Sequence, residues 1–417
     1  MKIKIKGKKQ LNIKTKIISS KSELHRLLIL SAFAKTKSKI FYTGVLSADV
    51  LATIDCLTKI GAKIEIKNRY LEVYPTLSLP KEMVEICVNE SGSTLRFIIP
   101  VFSALGINYK VSVNGRLSER PLSPMREILI EKGVSFSEGY PLTVTGKFLG
   151  GDIRIKGDVS SQFITGILMA LALTKDGGKL EVLEPFESKG YVDITLSSMQ
   201  KFGIKVEKSG NIYTVFPKEF TGKNITAGGD WSNGAFFLSM GAIKGKSTVT
   251  GLSQNSSQGD KEILDILERF GAFVIKNKNK MTVKSGDLKG IDIDVKDIPD
   301  LVPVLSIVAC FAKGKTRIYN ASRLKLKESD RIKSVVDMVN SLGGDAYGTE
   351  DEIIINGKDL LGGVVNSYND HRIVMASSVA SLITEKEVVI ENALAVNKSY
   401  PQFFEILKKC GFCVEEV

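Results

Sequence analysis

The sequence predicts a mixed α/β protein of two similar domains, and three observations support this fold class. The chain has 417 residues, which is long for a single hydrophobic core. Of its residues 43% are hydrophobic and 25% are charged, as in ordinary globular proteins. The third observation is a repeat, in which an amphipathic helical pattern ends at a glycine and is followed by a short alternating strand pattern. The glycines, separated by 72, 70, 68, 72 and 68 residues, are Gly61, Gly133, Gly203, Gly271, Gly343 and Gly411.

Each repeat is long enough for two helices and about four strands. Glycine is favoured just past a helix end because it enters the left-handed region without a Cβ penalty. Solenoid repeats usually have about 20 to 50 residues, so these longer units fit two clusters of three better. We therefore expect a discontinuous domain at 1–15 and 230–417 and an inserted domain at 16–229. The chain would cross between them at two hinge segments, near 13–20 and 227–231, and its N-terminal strand would pair with the later cluster.

Composition and charge argue against several classes of protein. No apolar run approaches the ~20 residues that span a bilayer, and the alternating start, Met1–Lys6, lacks the apolar stretch of a signal peptide. The formal net charge is +12, but the basic residues are dispersed, whereas nucleic-acid binders usually cluster them. Such an excess would still attract a small polyanion. With only His25 and His371, we expect no metal site. We expect a cytoplasmic monomer that acts on small anionic substrates, with no nucleic-acid or membrane partner.

The five cysteines, an odd number scattered along the chain, predict no disulfide framework. Cys410 and Cys413 have the spacing of a redox pair, but reactive pairs of that kind lie at a helix N-terminus. Here Cys410 follows a helical pattern over residues 403–409. We expect inert core thiols.

Three stretches in the first half place small hydroxyl residues ahead of an apolar helical pattern. They are Ser19–Arg26, Asn89–Arg96 and Gly157–Phe163. Free backbone N–H groups and the helix dipole make such a helix start an anion site, to which Lys21 and Arg26 would add charge. The alternative for each stretch alone is an ordinary capped helix, and at this point both interpretations stay open.

Other polar stretches allow both a structural and a functional interpretation. Arg120 lies in a polar loop over 115–122, either as a solvated turn or as a mobile arm that reaches a ligand. Ser188–Tyr191 offers a hydroxyl group and an aromatic face. Asp300 precedes an apolar helical pattern that runs to Phe311, so it is a candidate site residue or a helix cap.

Basic and acidic residues recur at helix starts in the second half. Lys327 lies beside Glu328, which suggests proton transfer, and Arg331 could anchor a charged group. Arg372 begins another apolar helical pattern, and Lys398 precedes the last one. Charged runs are usually solvated surfaces, but this repeated placement favours an anion-binding site.

Taken together, these residues resemble the 5-enolpyruvylshikimate-3-phosphate synthase family over essentially the whole chain. The resemblance implies an α/β (α+β) fold of two similar domains, each of three βαβαββ repeats in an inverted α/β barrel-like arrangement, joined by a double-crossing hinge. It implies transfer of the enolpyruvyl group of phosphoenolpyruvate to the 5-hydroxyl of shikimate 3-phosphate, with release of phosphate and without a metal or organic cofactor. The matching motifs are Ser20-Lys21-Ser22 with Arg26, Gly92-Ser93 with Arg96, Arg120-Pro121, Ser160-Ser161-Gln162, Ser188 with Tyr191, Asp300, Lys327 to Arg331, Asp370-His371-Arg372 and Lys398.

The resemblance also implies a role for individual residues. Asp300 would take the proton of the 5-hydroxyl, while Glu328 and Lys21 would serve C3 of phosphoenolpyruvate, with their division of labour left open. The residues expected to hold shikimate 3-phosphate are Lys21, Ser22, Arg26, Ser160, Ser161, Gln162, Ser188, Tyr191, Asp300 and Lys327. Those expected to hold phosphoenolpyruvate are Lys21, Gly92, Arg120, Gln162, Arg331, Arg372 and Lys398.

The sequence departs from the family at two positions, and its residues argue against two related families. Glu90 and Arg323 stand where the family usually has asparagine, which puts substrate contacts in doubt, whereas Gly92 keeps the room that the inhibitor glyphosate needs. The sister transferase acting on UDP-N-acetylglucosamine carries a reactive cysteine on a mobile loop, and residues 115–121 have none. RNA 3′-phosphate cyclases need a nucleophilic histidine, but His371 belongs to the shikimate-type motif. A non-enzymatic nucleic-acid binder is the remote alternative, and its binding should weaken steeply with salt.

Overall fold

The computed structural model describes residues 1–7 and 11–417. Its strands are β1 (Ile3–Lys6), β2 (Asn12–Lys16), β3 (Ser38–Phe41), β4 (Ile64–Ile66), β5 (Tyr70–Val73), β6 (Val84–Cys87), β7 (Tyr109–Ser112), β8 (Val134–Phe136), β9 (Leu142–Gly146), β10 (Gly151–Lys156), β11 (Gly178–Leu183), β12 (Lys205–Ser209), β13 (Ile212–Phe216), β14 (Asn224–Thr226), β15 (Lys246–Thr250), β16 (Phe273–Asn277), β17 (Lys280–Lys284), β18 (Asp292–Asp294), β19 (Lys315–Tyr319), β20 (Asp345–Gly348), β21 (Glu352–Asn356), β22 (Gly363–Asn366), β23 (Val388–Glu391) and β24 (Cys413–Glu416).

The helices alternate with these strands along the chain. They are α1 (Lys21–Ala32), α2 (Ala48–Lys59), α3 (Gly92–Ala104), α4 (Met125–Glu131), α5 (Ser161–Leu171), α6 (Lys189–Lys201), α7 (Trp231–Ile243), α8 (Ile263–Phe270), α9 (Val302–Phe311), α10 (Arg331–Ser341), α11 (His371–Ala380) and α12 (Phe403–Lys409). Short 3₁₀ helices lie at Gly115–Glu119, Gly259–Glu262, Ser322–Leu326 and Ala393–Lys398. Within the described ranges, no helix is both long enough and apolar enough to cross a membrane.

The described chain forms two compact units. The terminal unit consists of Met1–Ile18, Gly44–Ser47 and Gly228–Val417, and the inserted unit consists of Ser19–Thr43 and Ala48–Ala227. These boundaries differ by two or three residues from those expected from the sequence. The short segment around Gly44 was not expected in the terminal unit. It packs closely on Ile18, the last residue of the first segment of that unit, since a Cβ on Gly44 would lie 2.3 Å from a side-chain carbon of Ile18.

Each unit is built from three four-stranded sheets that share one topology. In the sheet β6-β7-β9-β8, the first pair is parallel and the other pairs are antiparallel. Helices α3 and α4 follow β6 and β7 along the chain, so the unit has the order βαβαββ. The sheets β10-β11-β13-β12 and β18-β19-β21-β20 repeat this order. The fold class implied by the resemblance is therefore confirmed.

The remaining three sheets are completed by strands that are distant in sequence. In the terminal unit, β2 lies parallel to β15, and β1 lies antiparallel between β23 and β24, with Ile5 opposite both Val388 and Val414. The expected pairing of the N-terminal strand with the later cluster is thus confirmed. In the inserted unit, β14 closes its sheet beside β3, with Ile225 opposite Ile40. These long-range pairings join the N-terminal strands to the later part of the terminal unit. They also join the last strand of the inserted unit to its first strand.

The six repeat glycines all adopt the predicted left-handed backbone, with φ between 78° and 112°. Gly271 shows why glycine is needed at this place in the repeat. Its N–H bonds back to the carbonyl oxygen of Glu268 and ends α8, and a Cβ there would lie 2.5 Å from the carbonyl oxygen of Asp287. A larger residue would therefore strain the turn and clash with the backbone at Asp287.

The core of each unit surrounds helices that are buried on nearly every side. In the inserted unit these are α1, α3 and α5, and in the terminal unit they are α7, α9 and α11, which pack against one another. Gly166 permits close packing of α5 on α3, since a Cβ there would lie 2.3 Å from the carbonyl oxygen of Arg96. Several motifs of the sequence analysis lie at or beside the N-termini of these helices.

The prediction of core thiols at the C-terminus is wrong for Cys413, which is exposed, while Cys410 is half-buried. Cys413 is the first residue of the last strand, and its Sγ donates a hydrogen bond to Glu415 Oε1 at 3.4 Å. This hydrogen bond raises the pKa of the Cys413 thiol, and burial raises the pKa of Cys410. Both groups are poor thiolates, which agrees with the expected lack of reactivity.

Candidate active site

The residues singled out from the sequence form two clusters, one within each unit. The first cluster, in the inserted unit, consists of Lys21, Ser22, Arg26, Gly92, Arg120, Ser160, Ser161, Gln162, Ser188 and Tyr191. The second cluster, in the terminal unit, consists of Asp300, Lys327, Glu328, Arg331, Arg372 and Lys398.

The start of α1 holds a largely buried ion pair. Ser20 caps the helix in an extended conformation, and its hydroxyl accepts a hydrogen bond from the backbone N–H of Glu23 at 3.4 Å. Lys21 Nζ donates to Asp49 Oδ2 at 2.7 Å, and the two side chains are only 13% and 12% exposed. Because solvent screens a buried pair poorly, this contact fixes the ammonium group at the helix start.

A chain of buried hydrogen bonds joins α1 and α2 to the start of α3. His25 Nδ1 lies 2.8 Å from Thr53 Oγ1, which lies 2.7 Å from Thr94 Oγ1. Thr94 in turn lies 2.7 Å from Ser91 Oγ, the cap of α3. Burial, followed by the charge of Lys21, lowers the pKa of His25 well below its ordinary value. The neutral imidazole is therefore placed to orient the helix starts rather than to carry charge.

The N-terminus of α3 brings several predicted residues together. A Cβ on Gly92 would lie 2.7 Å from an Nη1 atom of Arg120 and 3.1 Å from that of Arg96. Arg96 donates to Gln162 Oε1 at 2.6 Å, and Gln162 Nε2 donates to Ser93 Oγ at 2.9 Å. Gly92, Arg120 and Gln162, which the resemblance implies to be ligands of phosphoenolpyruvate, are thus neighbours. Arg96 was in the motif but had no assigned role, although its place one helical turn after Gly92 was a usable signal.

Arg26 is buried, and its guanidinium group is engaged by protein oxygens. It donates to Thr195 Oγ1 at 2.8 Å, Thr165 Oγ1 at 3.1 Å and the carbonyl oxygen of Tyr191 at 2.9 Å, and it also donates to the carbonyl oxygen of Ser22. Burial lowers the pKa of Arg26 to about 9. The side chain therefore ties the start of α1 to α5 and α6.

The serines of the first cluster lie at two further helix starts. Ser160 caps α5 by accepting a hydrogen bond from the N–H of Gln162 at 3.3 Å, and the adjacent Ser161 is buried. Ser188 precedes α6 with a left-handed backbone, φ +57°, and is 1% exposed. A non-glycine residue in this conformation costs about 1–3 kcal/mol and is often found at ligand sites.

Arg331, the first residue of α10, is the centre of the second cluster. Its fully buried guanidinium group donates to Asp300 Oδ1 at 2.7 Å, Glu328 Oε2 at 2.7 Å and Asp370 Oδ2 at 2.8 Å. Burial opposes its charge, but Asp370, Glu328 and Asp300 together outweigh burial and raise the pKa of Arg331 well above its ordinary value. Arg331 is therefore a permanent cation that holds three carboxylates from separate segments.

Asp300 bridges two arginines. Its Oδ1 accepts from Arg331, its Oδ2 accepts from Arg372 Nη2 at 2.7 Å, and Lys327 Nζ lies 3.6 Å away. Burial lowers the pKa of Lys327 to about 8, against the opposing charge of Asp300. Asp300 is not the cap of α9. Leu301 occupies the N-cap position, and no side chain makes a capping hydrogen bond to this helix.

The start of α11 adds the last two predicted cations. Asp370 caps this helix by accepting from the N–H of Arg372 at 2.9 Å. Lys398 Nζ donates to the carbonyl oxygen of Asn369 at 2.6 Å, so its ammonium group lies beside the same helix start. Over the ranges 1–7 and 11–417, no group of three or more His, Cys, Asp and Glu side chains is placed to hold a metal ion.

Asp260 is a buried acid near the second cluster that sequence reasoning missed. It is 3% exposed, its Oδ2 accepts from the hydroxyl of Ser232, and its Oδ1 has no hydrogen-bond partner among the described residues. Burial, followed by the charge of Asp300, raises the pKa of Asp260 to about 7, while Arg372 opposes this shift. A lone aspartate in a polar stretch gave no signal in the sequence.

We expect Asp260→Asn to stabilise the protein more at pH 8 than at pH 5. The pKa of about 7 in the folded state exceeds the ordinary value of 3.8, so the folded state binds this proton more tightly than the unfolded state. Stability of the unmodified protein should therefore fall as the pH rises through this window, whereas asparagine has no charge to bury. Thermal unfolding at both pH values measures the difference, with Asp294→Asn in a partly exposed ion pair as the control. Equal effects of Asp260→Asn at both pH values would contradict the prediction.

Comparison with known proteins places this geometry in a family. A sequence model of the family described as EPSP synthase (3-phosphoshikimate 1-carboxyvinyltransferase) matches residues 5–407. The 3-phosphoshikimate 1-carboxyvinyltransferase of Clostridium perfringens strain 13 is 38% identical over 411 residues, which cover 96% of each chain. That of Clostridium kluyveri is 40% identical over 408 residues, covering 96% of this chain and 95% of the relative.

Solved structures extend this similarity to three dimensions. The EPSP synthase of Acinetobacter baumannii has a TM-score of 0.84 and 26% identity, with all of both chains covered. An enolpyruvyl transferase from Streptomyces tendae, at 14% identity, has a TM-score of 0.78, covers 100% of this chain and 98% of its own, and supports the fold alone. Because the family match spans nearly the whole sequence and the relatives agree over nearly their whole length, the chain belongs to the EPSP synthase family.

Proposed function

We propose that this chain transfers the enolpyruvyl group of phosphoenolpyruvate to the 5-hydroxyl of shikimate 3-phosphate and releases phosphate, in aromatic amino acid biosynthesis. Beyond family membership, the observation that carries this proposal is the bridge from Arg331 through Asp300 to Arg372. It combines a candidate base with two cations suited to a carboxylate. Small phosphorylated substrates of this kind support a cytoplasmic site of action.

The carboxylate of phosphoenolpyruvate is assigned to Arg331 and Arg372. These guanidinium groups now share the carboxylate of Asp300, and a carboxylate held by cations is a weak base. A substrate carboxylate that takes over these contacts would release Asp300 from them. Binding of phosphoenolpyruvate would thereby prepare Asp300 to accept the proton of the 5-hydroxyl.

The phosphate group of phosphoenolpyruvate is assigned to the start of α3 and its neighbours. Gly92 offers a backbone without a side chain, and Arg120 and Gln162 lie beside it. Lys21 and Lys398 would contribute two further charges. This set suits a phosphate because backbone N–H groups at a helix start and cationic side chains stabilise the same anion.

Shikimate 3-phosphate is assigned to the other residues of the first cluster, to Lys21 and Gln162, which it would share with phosphoenolpyruvate, and to two residues of the second cluster. Hydroxyl groups at the starts of α5 and α6 can bind the phosphate and ring hydroxyls, and the buried Arg26 holds those helices in register. Lys327 has a lowered pKa, so an approaching phosphate would favour its charged form. The residues are Lys21, Ser22, Arg26, Ser160, Ser161, Gln162, Ser188, Tyr191, Asp300 and Lys327.

The reaction then needs a proton in and a proton out at C3. As the 5-oxygen bonds to C2, C3 takes a proton and a tetrahedral adduct forms. When phosphate leaves, C3 loses a proton and the double bond is restored. Glu328, which Arg331 holds at 2.7 Å, and Lys21 are the proposed groups for these transfers.

A phosphate-release assay tests the proposed function. Phosphate should appear only when both phosphoenolpyruvate and shikimate 3-phosphate are present, and the product should carry the enolpyruvyl ether. UDP-N-acetylglucosamine in place of shikimate 3-phosphate should give no release. Phosphate release with the sugar nucleotide, or without any acceptor, would contradict the proposed function.

Gly92→Ala should raise the KM for phosphoenolpyruvate with little change in the binding of shikimate 3-phosphate. The added methyl would lie 2.7 Å from Arg120, whose flexible end would have to move. Loss of one charged hydrogen bond costs about 1.5–3 kcal/mol, so KM should rise roughly 10- to 100-fold. Steady-state kinetics measure this. The control Gly139→Ala strains a left-handed turn, φ +68°, but its Cβ meets nothing within 4 Å, so it should leave this KM unchanged. An unchanged KM would remove Gly92 from the phosphoenolpyruvate site.

We propose further that substrate binding closes the two units, as the family resemblance implies. Both clusters are rich in cations, and an anion bound by both would supply the differential free energy for closing. Shikimate 3-phosphate should therefore reduce the radius of gyration and tighten the binding of phosphoenolpyruvate and glyphosate. Small-angle scattering with and without the ligand measures the change. An unchanged radius, with glyphosate bound equally well in both cases, would refute the closure.

A further inference from the structure

The sheet β16-β17-β15-β2 of the terminal unit has a basic outer face, and none of its lining residues belongs to either cluster. The face forms a concavity of about 670 Å³ lined by eleven residues, none of them acidic. Five of them are lysines, Lys14, Lys16, Lys246, Lys280 and Lys284, and we call them the lysine face.

Strand alternation builds this face. Val249, Met281 and Val283 point into the core and are buried, so the residues between them point outward. The register then places Lys246 opposite Lys284 and sets Thr250 between Lys16 and Lys280. The charges are therefore concentrated on one side of three adjacent strands, although these strands come from separate segments of the sequence.

The floor of the concavity is ordered and polar. Thr248 and Thr282 face each other across β15 and β17, and their Oγ1 atoms are 3.0 Å apart. They are only 7% and 4% exposed. Since lysine stems commonly cover such positions while the ammonium groups stay in water, the charges form a rim around this floor.

The lysine face lacks the compensating acids found on another sheet of the same unit. There, Lys4 on β1 pairs with Glu415 at 2.9 Å and with Glu387 at 3.6 Å. Across the described ranges, none of the five lysines of the lysine face has a carboxylate within 4.0 Å. Neighbouring strands are about 4.8 Å apart and alternate residues about 6.8 Å apart, so these like charges repel one another until an anion binds.

One edge of the face is apolar. Ile275 lines the concavity and is 44% exposed, and Phe273, two residues earlier on the same face of edge strand β16, is 65% exposed. Asn277 follows on that face and offers an amide. A ligand that carries several negative charges and an apolar group would therefore match both parts of this face.

We propose that the lysine face binds a nucleoside triphosphate, with its phosphates on the lysines and its base against Ile275 and Phe273. The concavity lies within the usual range of about 300–1,000 Å³ for small-ligand sites. A single-stranded nucleic acid would need a basic groove that continues beyond these strands, so the size favours a mononucleotide. This site goes beyond the proposed enzymatic function and does not depend on it.

Titration calorimetry of the full chain with magnesium-free ATP tests the site. Lys246→Gln/Lys284→Gln should weaken ATP binding about tenfold or more, because two charged contacts are lost. The control Lys358→Gln/Lys409→Gln removes two exposed lysines of the same unit that lie outside the concavity and should change the affinity less than about twofold. Equal weakening in both variants would show that the effect depends only on the net charge of the protein, and it would overturn the proposal.

Further binding measurements identify the ligand and distinguish this site from the active site. ATP should bind Lys21→Ala as tightly as the unmodified chain, and loss of binding there would place ATP in the active site instead. Ile275→Ser should weaken ATP but not inorganic tripolyphosphate, and equal effects would refute the base contact. A ten-nucleotide oligothymidylate that binds more tightly than ATP through the same lysines would replace the proposal with a nucleic-acid surface.

The outcome can be read independently of the proposed enzymatic function. Lys246→Gln/Lys284→Gln should keep the phosphate release of the unmodified chain in the absence of ATP, which also shows that the variant folds. If the unmodified chain released no phosphate, the ATP titrations would still decide whether the lysine face binds a nucleotide.

Discussion

Lys21→Ala is expected to lower turnover by about 10²–10³-fold while the protein remains folded. The ammonium group is held at the start of α1 by Asp49 and is proposed to contact both substrates. Removing one preorganised donor from a site that stabilises developing negative charge typically costs this much in kcat. Steady-state phosphate release measures the loss.

The matched control for this prediction is Lys35→Ala. Lys35 also pairs with a carboxylate at 2.7 Å, but its side chain is 59% exposed and that of Glu219 is 77% exposed. Exposed pairs contribute little, so turnover and stability should change only slightly. Thermal unfolding of Lys21→Ala must show a cooperative transition for the comparison to hold. Near-normal turnover in this variant would remove Lys21 from the site.

Asp300→Asn should lower kcat by about 10²–10⁴-fold, with a much smaller change in the KM for shikimate 3-phosphate. An amide can still accept one hydrogen bond from Arg331 or Arg372, but it cannot accept the proton of the 5-hydroxyl. The loss should therefore fall on the chemical step rather than on substrate binding. Separate kcat and KM values, with binding of shikimate 3-phosphate measured by calorimetry, distinguish the two.

Asp294→Asn serves as the control for this second prediction. Asp294 lies six residues earlier in a partly exposed pair with Lys296, so kcat should stay within about twofold of the unmodified value. If Asp300→Asn raised only KM, Asp300 would be a binding residue and the proposed base would have to be sought elsewhere. Glu328, held by Arg331, would then be the first candidate.

Local physics made much of the fold predictable. Glycines such as Gly61 and Gly271 indicated where helices end, because few other residues tolerate a left-handed backbone there. Serines ahead of apolar patterns predicted helix starts, and Ser20 and Ser160 do cap α1 and α5. Within the stretch Asn89–Arg96, α3 begins at Gly92, and the hydroxyl of Ser91 caps it.

The site was predictable to the extent that its residues lie in short contiguous motifs. Gly92 and Arg120 are neighbours, as the resemblance implied, and Asp300 lies against Arg331 and Arg372. Such motifs can be recognised in a sequence because a helix start needs particular residue types within a few positions of one another. They did not show which partner each side chain would have.

The sequence by itself determined the repeat, the helix ends, the anion-binding character and the family. Only the tertiary structure decided the partners: Arg331 meets Asp370 across 39 residues, and Arg26 meets Thr195 across 169. It also decided that Asp260 is buried beside a charged cluster and that five dispersed lysines share one face. The reason is physical, because burial and charge interactions depend on distances in space, whereas periodicity and capping depend on positions along the chain.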